Sequence, residues 1–304
     1  MLPERPRIQF LRSLTSEDDV RRPPSAFARF VLGEDPHREV QIVSRPYGMA
    51  FTEGQLYVCD SGGGRGAIFD LAKGEFRTFG DRGPYRLGLP ANVCIGPQGE
   101  KYVTDTVRGQ ILILNRADKP VRSITKPAGL KPCDAVWHDR ELYVADLKTN
   151  RILVMDPQSG RVLREFGKTG SQPGEFCQPT HAAVDRDGTL YVADSLNFRI
   201  QIFDAQSNLL SAFGRAGDGT GDFSKAKGVA VDSEGHVYVV DSLYDVVQVF
   251  DRTGRFLLSF GGSGRDEGLL WLPTGIFIDG QDRIYVGDSG NSRVQVYQYL
   301  RQGS

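Results

Sequence analysis

The chain has 304 residues, and its 37 Lys and Arg against 38 Asp and Glu give a formal net charge of −1. This balance argues against a strongly basic nucleic-acid binder, and the apolar runs are too short to span a bilayer. The length fits one large domain or two ordinary ones. Glycine is frequent, at 36 residues, which suits a fold with many tight turns.

The first ten residues, MLPERPRIQF, are charged and contain two prolines, so they lack the apolar segment of a secretory signal. We expect a protein that is either cytosolic or extracytoplasmic with its leader absent from this chain. The cysteines show no Cys-x-x-Cys spacing and are too few for a disulfide scaffold or a zinc knuckle. We expect four reduced thiols, at Cys59, Cys94, Cys133 and Cys177.

A tetrapeptide of tyrosine, valine, a small or apolar residue and aspartate recurs six times, at intervals of 41 to 48 residues. Such even spacing is the signature of a repeat architecture. The copies begin at Tyr57, Tyr102, Tyr143, Tyr191, Tyr238 and Tyr285.

The fourth copy shows the whole unit. Residues 179–185, 189–194, 200–204 and 209–213 are rich in β-formers, and Gly or Asp occupies the turns between them. Four such segments predict an antiparallel meander. One meander cannot bury both faces of its sheet, but six stacked radially can. The sequence therefore predicts an all-β, six-bladed β-propeller of four-stranded antiparallel blades over residues 46–300.

The two ends of the chain predict how the ring closes. The sixth repeat begins at Pro273 and contains only three strands, whereas residues 8–14, IQFLRSL, resemble the fourth strands of other repeats. We expect this N-terminal strand to close the last blade, so that residues 1–304 form a single domain.

Residues 15–45 are longer than the other connections between blades, and long loops often serve a function. Ser25 is suited to cap a short helix with an apolar face at Phe27 and Phe30, ended by Gly33. Two interpretations stay open: a lid over the channel mouth, or a structural plug packed on the first blade.

The repeat unit resembles the NHL repeat, most closely at residues 179–203, 228–250 and 273–297. This resemblance implies the same propeller fold, but not an activity, because one fold hosts many functions. In this family the Asp of the tetrapeptide and an Arg five residues later resemble a structural pair. Four repeats keep that spacing, at Asp60 and Arg65, Asp146 and Arg151, Asp194 and Arg199, and Asp288 and Arg293.

Because a feature of every repeat serves the fold, a binding site is expected where the repeats differ. The position after each blade-opening residue carries Tyr47, Ala91, Cys133, Thr180, Lys227 and Thr274, and the next carries Gly48, Asn92, Asp134, His181, Gly228 and Gly275. Polar residues replace glycine in three consecutive blades. We predict that Asn92, Asp134 and His181 form one constellation on the rim, flanked by Tyr47, Cys133, Thr180, Lys227 and Thr274. If they do, replacing each of the three by glycine should barely alter folding, while ligand binding should fall. Drift at a rim that tolerates polar residues is the alternative.

Two enzyme families share this architecture. Residues 174–185 resemble a sequence segment of peptidyl-amidoglycolate lyases. In that family, zinc-binding histidines follow the proline that opens each blade, but no histidine occupies that position here. Gluconolactonase-like propellers hold a divalent cation with Glu, Asn and Asp at the channel mouth. Asn92, Asp134 and His181 are weak candidates for such a site, and no matching glutamate is evident. We therefore expect no cofactor, with a divalent cation as the alternative.

Some NHL propellers bind single-stranded RNA on a basic rim, but aspartates interleave the rim cations here. We expect no nucleic-acid partner. The sequence favours a monomeric, non-catalytic scaffold that recognises a protein, a peptide or a small ligand on the channel rim. The alternative is a divalent-metal-dependent lactonase or lyase.

Overall fold

A computed structural model describes residues 7–21 and 40–301. Its strands form six antiparallel sheets of four strands each, arranged around a central channel. The predicted all-β six-bladed propeller is confirmed. The innermost strands are β2 (Pro46–Thr52), β6 (Pro90–Ile95), β10 (Pro132–His138), β14 (Pro179–Val184), β18 (Ala226–Val231) and β22 (Pro273–Ile278).

The remaining strands follow outward in chain order within each blade. The second strands, which end on the aspartate of the tetrapeptide, are β3 (Gln55–Asp60), β7 (Lys101–Asp105), β11 (Glu141–Asp146), β15 (Leu190–Asp194), β19 (Val237–Asp241) and β23 (Arg283–Asp288). The third are β4 (Arg65–Asp70), β8 (Gln110–Leu114), β12 (Arg151–Met155), β16 (Arg199–Phe203), β20 (Val246–Phe250) and β24 (Arg293–Tyr299). The outer strands are β5 (Glu75–Phe79), β9 (Pro120–Ile124), β13 (Val162–Phe166), β17 (Leu209–Phe213), β21 (Phe256–Gly261) and β1 (Ile8–Leu14).

The ring closes as the sequence predicts, because the N-terminal strand β1 supplies the outer strand of blade six. It pairs antiparallel with β24, from Ile8 opposite Tyr299 to Leu14 opposite Val294. The closing strand thereby covers the backbone edge that β24 would otherwise expose.

The hydrophobic core lies between blades rather than within them. Each of six clusters of buried side chains combines residues of two neighbouring blades. The loop that enters each blade adds one fully buried apolar anchor to this packing. The anchors are Val43, Leu87, Leu130, Phe176, Phe223 and Leu270.

A β-bulge interrupts the pairing of the first and second strands near the start of every blade. A bulge leaves an extra residue outside the ladder and changes the direction of its side chain. The bulge falls on the two positions after the blade-opening residue, so it orients the predicted site residues. We call the face on which the six first strands begin the proline rim.

The ends of the long insertion pair with each other before blade one begins. Ser16 and Ile42 form an isolated antiparallel bridge, and the Val43 amide donates to the Thr15 carbonyl oxygen at 2.8 Å. A short 3₁₀ helix follows at Glu17–Asp19, and two others lie at Ser195–Asn197 and Ser289–Asn291. The helix predicted after Ser25, with Phe27, Phe30 and Gly33, lies outside the described residues.

Candidate functional site

The six aspartates of the tetrapeptide are buried ties between a blade and the loop that enters it. Each carboxylate accepts a hydrogen bond of 2.7–3.1 Å from the backbone N–H of a residue in that loop. This arrangement in every blade agrees with a structural role for the ring of aspartates. The six are Asp60, Asp105, Asp146, Asp194, Asp241 and Asp288.

The arginine five residues later completes this tie in some blades. Arg199 Nε lies 2.9 Å from Asp194 and Arg293 Nε lies 2.7 Å from Asp288. In blade three the expected pair is replaced, because Arg151 contacts Glu165 on the neighbouring outer strand. Thr149 donates to the Asp146 carboxylate instead, at 2.7 Å.

Asn92, Asp134 and His181 come together, as the sequence predicts, but they are buried between first strands. Each is at most 6% exposed. The Asn92 amide donates to Asp134 Oδ1, and His181 Nδ1 lies 3.6 Å from Asp134 Oδ2. The three side chains therefore form one chain of contacts across blades two, three and four.

The acceptors in this chain are occupied by backbone donors. Asp134 Oδ1 also accepts from the Ala135 N–H at 2.8 Å, and Oδ2 accepts from the Ala182 N–H of blade four. His181 Nδ1 accepts from the Val229 N–H of blade five at 3.4 Å, which places the proton of the neutral ring on Nε2. Asp134 and His181 thus each bond the first strand of the next blade.

The preceding position also ties neighbouring blades in three of the six cases. The Thr180 hydroxyl donates to the Lys227 carbonyl oxygen at 3.0 Å, and Thr274 donates to the Pro46 carbonyl oxygen at 2.8 Å. The Cys133 thiol contacts the Pro179 carbonyl oxygen at 3.0 Å. Burial raises the pKa of this thiol well above its ordinary value, so Cys133 stays protonated and serves as a donor.

Where the repeat keeps glycine, neighbouring first strands approach too closely for a side chain. A Cβ at Gly275 would collide with the Tyr47 carbonyl oxygen, and one at Gly228 would lie 2.7 Å from the Thr274 carbonyl oxygen. A Cβ at Gly48 would collide with the Asn92 amide. The ring therefore has two halves: polar side chains join blades two to four, and close backbone contact joins blades five, six and one.

Tyr47 and Lys227 lie at the channel mouth, in the half of the ring that keeps glycine. The Lys227 amine lies 5.0 Å from the centroid of the Tyr47 ring. Burial raises the pKa of the Tyr47 hydroxyl, and Cys133 and Asp134 add to this shift. Burial, with a smaller effect of Lys225, lowers the pKa of Lys227 to about 8.

A groove of about 790 Å³ opens above this pair, between blades five, six and one. We call it the basic groove, because Arg45, Lys225 and Lys227 line it and no described Asp or Glu does. No carboxylate within the described ranges forms an ion pair with any of these three cations. The other lining residues are Ser44, Tyr47, Ser61, Ser242, Leu243, Trp271, Leu272, Thr274, Ser289, Gly290 and Ser292.

The candidate site predicted from sequence is thus divided. Tyr47, Lys227 and Thr274 line the basic groove, whereas Asn92 and His181 line a separate channel cavity of about 340 Å³. Lys225 and Arg45 line the basic groove but are not among the site residues predicted from the sequence. Both directly precede a blade-opening residue, and that shared position is the signal that would have found them.

The donor sets offer little for a metal ion. Across residues 7–21 and 40–301, no three His, Cys, Asp or Glu side chains form a group that could hold one. Asp134, the one carboxylate of the predicted constellation, already accepts from Asn92, Ala135 and Ala182. His138 and His236 lie near the opposite face, at the turns between first and second strands.

The NHL repeat family model matches residues 176–203 and 270–297. Each match begins at a buried loop anchor and covers the first three strands of blade four or blade six. Together with six blades built to one pattern, these matches support an NHL-repeat propeller family. The protein is a six-bladed β-propeller with NHL repeats in blades four and six.

This NHL-repeat propeller is 50% identical over 46 residues to Protein lin-41 of Caenorhabditis elegans, covering 15% of this chain and 4% of that protein. It is 31% identical over 75 residues to the probable peptidyl-alpha-hydroxyglycine alpha-amidating lyase pgal-1 of the same organism, covering 23% of this chain and 21% of that protein. The chain therefore spans less than a quarter of the length of either relative.

Virginiamycin B lyase from Staphylococcus aureus shares the fold, with a TM-score of 0.61 at 13% identity. The superposition covers 84% of this NHL-repeat propeller and 96% of the lyase. At this identity the likeness shows the fold alone. None of the helices in the described part of the chain has the length and apolarity needed to cross a membrane.

Proposed function

We propose that the protein is a non-catalytic binding propeller whose ligand lies in the basic groove on the proline rim. One observation carries this proposal: Arg45, Lys225 and Lys227 converge there with no carboxylate partner among the described residues. Arg45 is exposed and Lys225 and Lys227 are partly buried, and partial burial of a charge without a counter-charge disfavours the folded state. A partner that supplies the opposite charge gives such an arrangement a role.

The apolar surface of the same face supports this assignment. Large hydrophobic side chains are exposed in the loops on the proline rim. Three of them, Leu243, Trp271 and Leu272, line the basic groove together, and a cluster of exposed apolar side chains is a mark of a binding site. The groove itself has the size of a ligand site, since such pockets commonly measure 300–1,000 Å³. The exposed rim residues are Leu89, Val107, Leu196, Leu243, Trp271 and Leu272.

The groove residues also favour binding over catalysis. Three of its hydroxyls donate to the backbone: Thr274 and Ser289 both donate to the Pro46 carbonyl oxygen, and Ser61 donates to the Arg45 carbonyl oxygen. In the described residues no base activates a hydroxyl or a thiol of the groove, as nucleophilic catalysis would need.

The matched positions Leu243 and Leu196 allow a sharp test. Each follows the serine after the tetrapeptide, and each is about half exposed, at 55% and 44%, but only Leu243 lines the groove. Leu243→Glu places a carboxylate beside the cations, whereas Leu196→Glu places one outside. A panel of short peptides, organic acids, amines and sugars is tested for raising the melting temperature of each protein.

We expect ligands that stabilise the wild type and Leu196→Glu but not Leu243→Glu. Ligands that bind all three equally would place the site elsewhere and overturn the proposal. Metal analysis of the purified protein tests the metal-dependent lactonase or lyase alternative in the same preparation. Stoichiometric bound metal, together with a chelator-induced loss of thermal stability, would favour that alternative.

A further inference from the structure

We infer that the basic groove binds a small organic acid, with its anionic group among Arg45, Lys225 and Lys227 and its apolar part on the facing wall. This inference rests on the proposed function and names the chemical class of the ligand. Carboxylates and phosphates share the charge and the acceptor oxygens that such a cluster recognises. Binding measurements with one carboxylate and one phosphate distinguish these two classes of ligand.

The side chains of the three groove cations form no ion pair among the described residues, although Asp60 and Asp241 accept hydrogen bonds from the backbone N–H groups of Arg45 and Lys225. Lys227 contacts the face of the Tyr47 ring, an interaction that offsets only part of the cost of burying an ammonium group. The raised pKa of Tyr47 keeps its hydroxyl neutral, so the ring supplies no negative charge. An anion placed beside Lys227 would therefore meet three cations and no competing carboxylate within the described groove lining.

Neutral donors surround these cations. The hydroxyls of Ser44, Ser242 and Ser292 line the groove, and in the described structure none of them donates to a protein acceptor. Hydroxyls and ammonium groups together satisfy the several lone pairs of an oxyanion. The anionic end of the ligand thus has donors beyond the three charges.

The facing wall is apolar and exposed. The Trp271 side chain is 39% exposed, and Leu272 and Leu243 are exposed beside it. Arg265 lies against the Trp271 ring, 4.8 Å from its centroid. An aromatic or branched aliphatic group covering this wall would remove apolar surface from water, so the preferred ligand joins one anionic group to an apolar body.

A small anion fits this surface better than a polyanion. Arg45, Lys225 and Lys227 line one groove, whereas aspartates interleave the other cations of the rim, with Asp218, Asp222 and Asp266 in neighbouring loops. Nucleic-acid binding needs a continuous positive track along the phosphate backbone. Single-stranded RNA is therefore the competing class of ligand in the test.

The experiment measures the affinity of the full chain for N-acetyl-L-phenylalanine, its neutral amide, phenyl phosphate and a ten-nucleotide oligouridylate, by titration calorimetry and Trp fluorescence. We expect one of the two acids to bind at least about tenfold more tightly than the amide. The acid that binds more tightly shows whether the groove prefers a carboxylate or a phosphate. Lys227→Met should weaken that binding at least about tenfold, and Lys148→Met, an exposed lysine of blade three outside the groove, should not.

Each other outcome overturns the inference in a distinct way. Equal binding of acid and amide, sensitive to Leu243→Glu, would refute the acid while leaving the proposed function intact. Acid binding insensitive to both Lys227→Met and Leu243→Glu would refute both. Binding of oligouridylate alone, or no acid binding at about 10 mM, would also refute the acid ligand. Circular dichroism and the melting temperature of each variant confirm that the groove variants are folded.

Discussion

The two halves of the channel mouth use the same backbone position in opposite ways. In blades two to four it carries Asn92, Asp134 and His181. Asn92 donates to Asp134, and Asp134 and His181 each accept a hydrogen bond from the first strand of the next blade. In blades five, six and one it carries glycine, and the adjoining groove leaves Lys227 and Lys225 without acidic partners among the described residues. The polar residues that depart from the repeat in blades two to four therefore stabilise the ring itself. The cations available to a ligand lie beside blades five, six and one, where the repeat keeps glycine.

The largest effect that separates the halves is expected at Asp134. Asp134→Ala leaves the Ala182 N–H and the Asn92 amide without their acceptor inside the ring. We expect the free energy of unfolding to fall by about 3 kcal/mol, measured by urea denaturation. The control Asp187→Ala removes a carboxylate from an exposed pair with Arg252 and should cost less than about 1 kcal/mol.

A loss at Asp134 no larger than that of the control would show that the buried contacts do not hold the ring together. It would agree with the expectation from the sequence that replacing the three polar residues by glycine barely alters folding. The hydrogen bonds of Asp134 argue for the opposite outcome, because glycine would leave the same donors unpaired.

The preceding position should behave alike in both halves. Thr180 and Thr274 each donate to a backbone carbonyl of the next blade. Thr180→Val and Thr274→Val should each lower the free energy of unfolding by about 1 kcal/mol, measured in the same denaturation assay. A clear cost in one variant and none in the other would extend the difference between the halves to this position.

Much of this fold follows from local sequence patterns. Six tetrapeptides fix the number of blades, and the missing fourth strand after residue 299 requires the N-terminal strand to pair there. Each rule involves residues close in the chain or a strand without a partner, so sequence alone is sufficient. The convergence of Asn92, Asp134 and His181 also follows from their equivalent positions in adjacent blades.

The groove could not be predicted in this way. Whether a rim cation has a carboxylate partner depends on side chains from three blades, up to about two hundred residues apart in sequence. Arg45 and Lys225 resemble other rim cations in the sequence, and only the folded ring shows that they face one space with Lys227. From the sequence, a site is expected where polar residues replace the glycine of the repeat. Only the folded structure shows which of these polar groups are buried and already hydrogen-bonded.

The substitutions at Asp134, Thr180 and Thr274 should lower the stability of the protein, whereas a substitution of Lys227 in the basic groove should raise it. The folded-state pKa of Lys227, about 8, lies below its ordinary value of 10.5. Below pH 8, Lys227 is protonated in both the folded and the unfolded protein. Its charge then lowers the stability of the folded state, because burial disfavours the charged form. Lys227→Met should raise the free energy of unfolding at pH 7 by about 1 kcal/mol, allowing for the exposed part of the side chain.

This gain should shrink as the pH rises from about 8 toward 10.5, because the wild-type lysine then becomes neutral in the folded protein first. Thermal denaturation across this range measures the difference. A variant less stable than wild type at pH 7 would mean that the packing of Lys227 on Tyr47 outweighs the cost of its buried charge.

The smallest effect is the pH dependence of acid binding. Lys225 and Tyr47 are the titratable groups that face Lys227, and the raised pKa of Tyr47 keeps that hydroxyl neutral. Affinity for the bound acid should fall several-fold from pH 7 to pH 9 as Lys227 loses its proton. The residual affinity of Lys227→Met should change less over this range, and a parallel loss in both proteins would assign the titration to another group.

The most direct test of the division between the two halves compares Asp134→Asn and Lys227→Met in one experiment. For both variants and the wild type, we measure the melting temperature and the affinity for whichever of N-acetyl-L-phenylalanine and phenyl phosphate binds the wild type more tightly. We predict that Asp134→Asn lowers the melting temperature while its acid affinity stays within about twofold of wild type. Lys227→Met should keep or raise the melting temperature and lose at least about tenfold in affinity. Loss of acid binding in Asp134→Asn, with wild-type binding in Lys227→Met, would contradict the account.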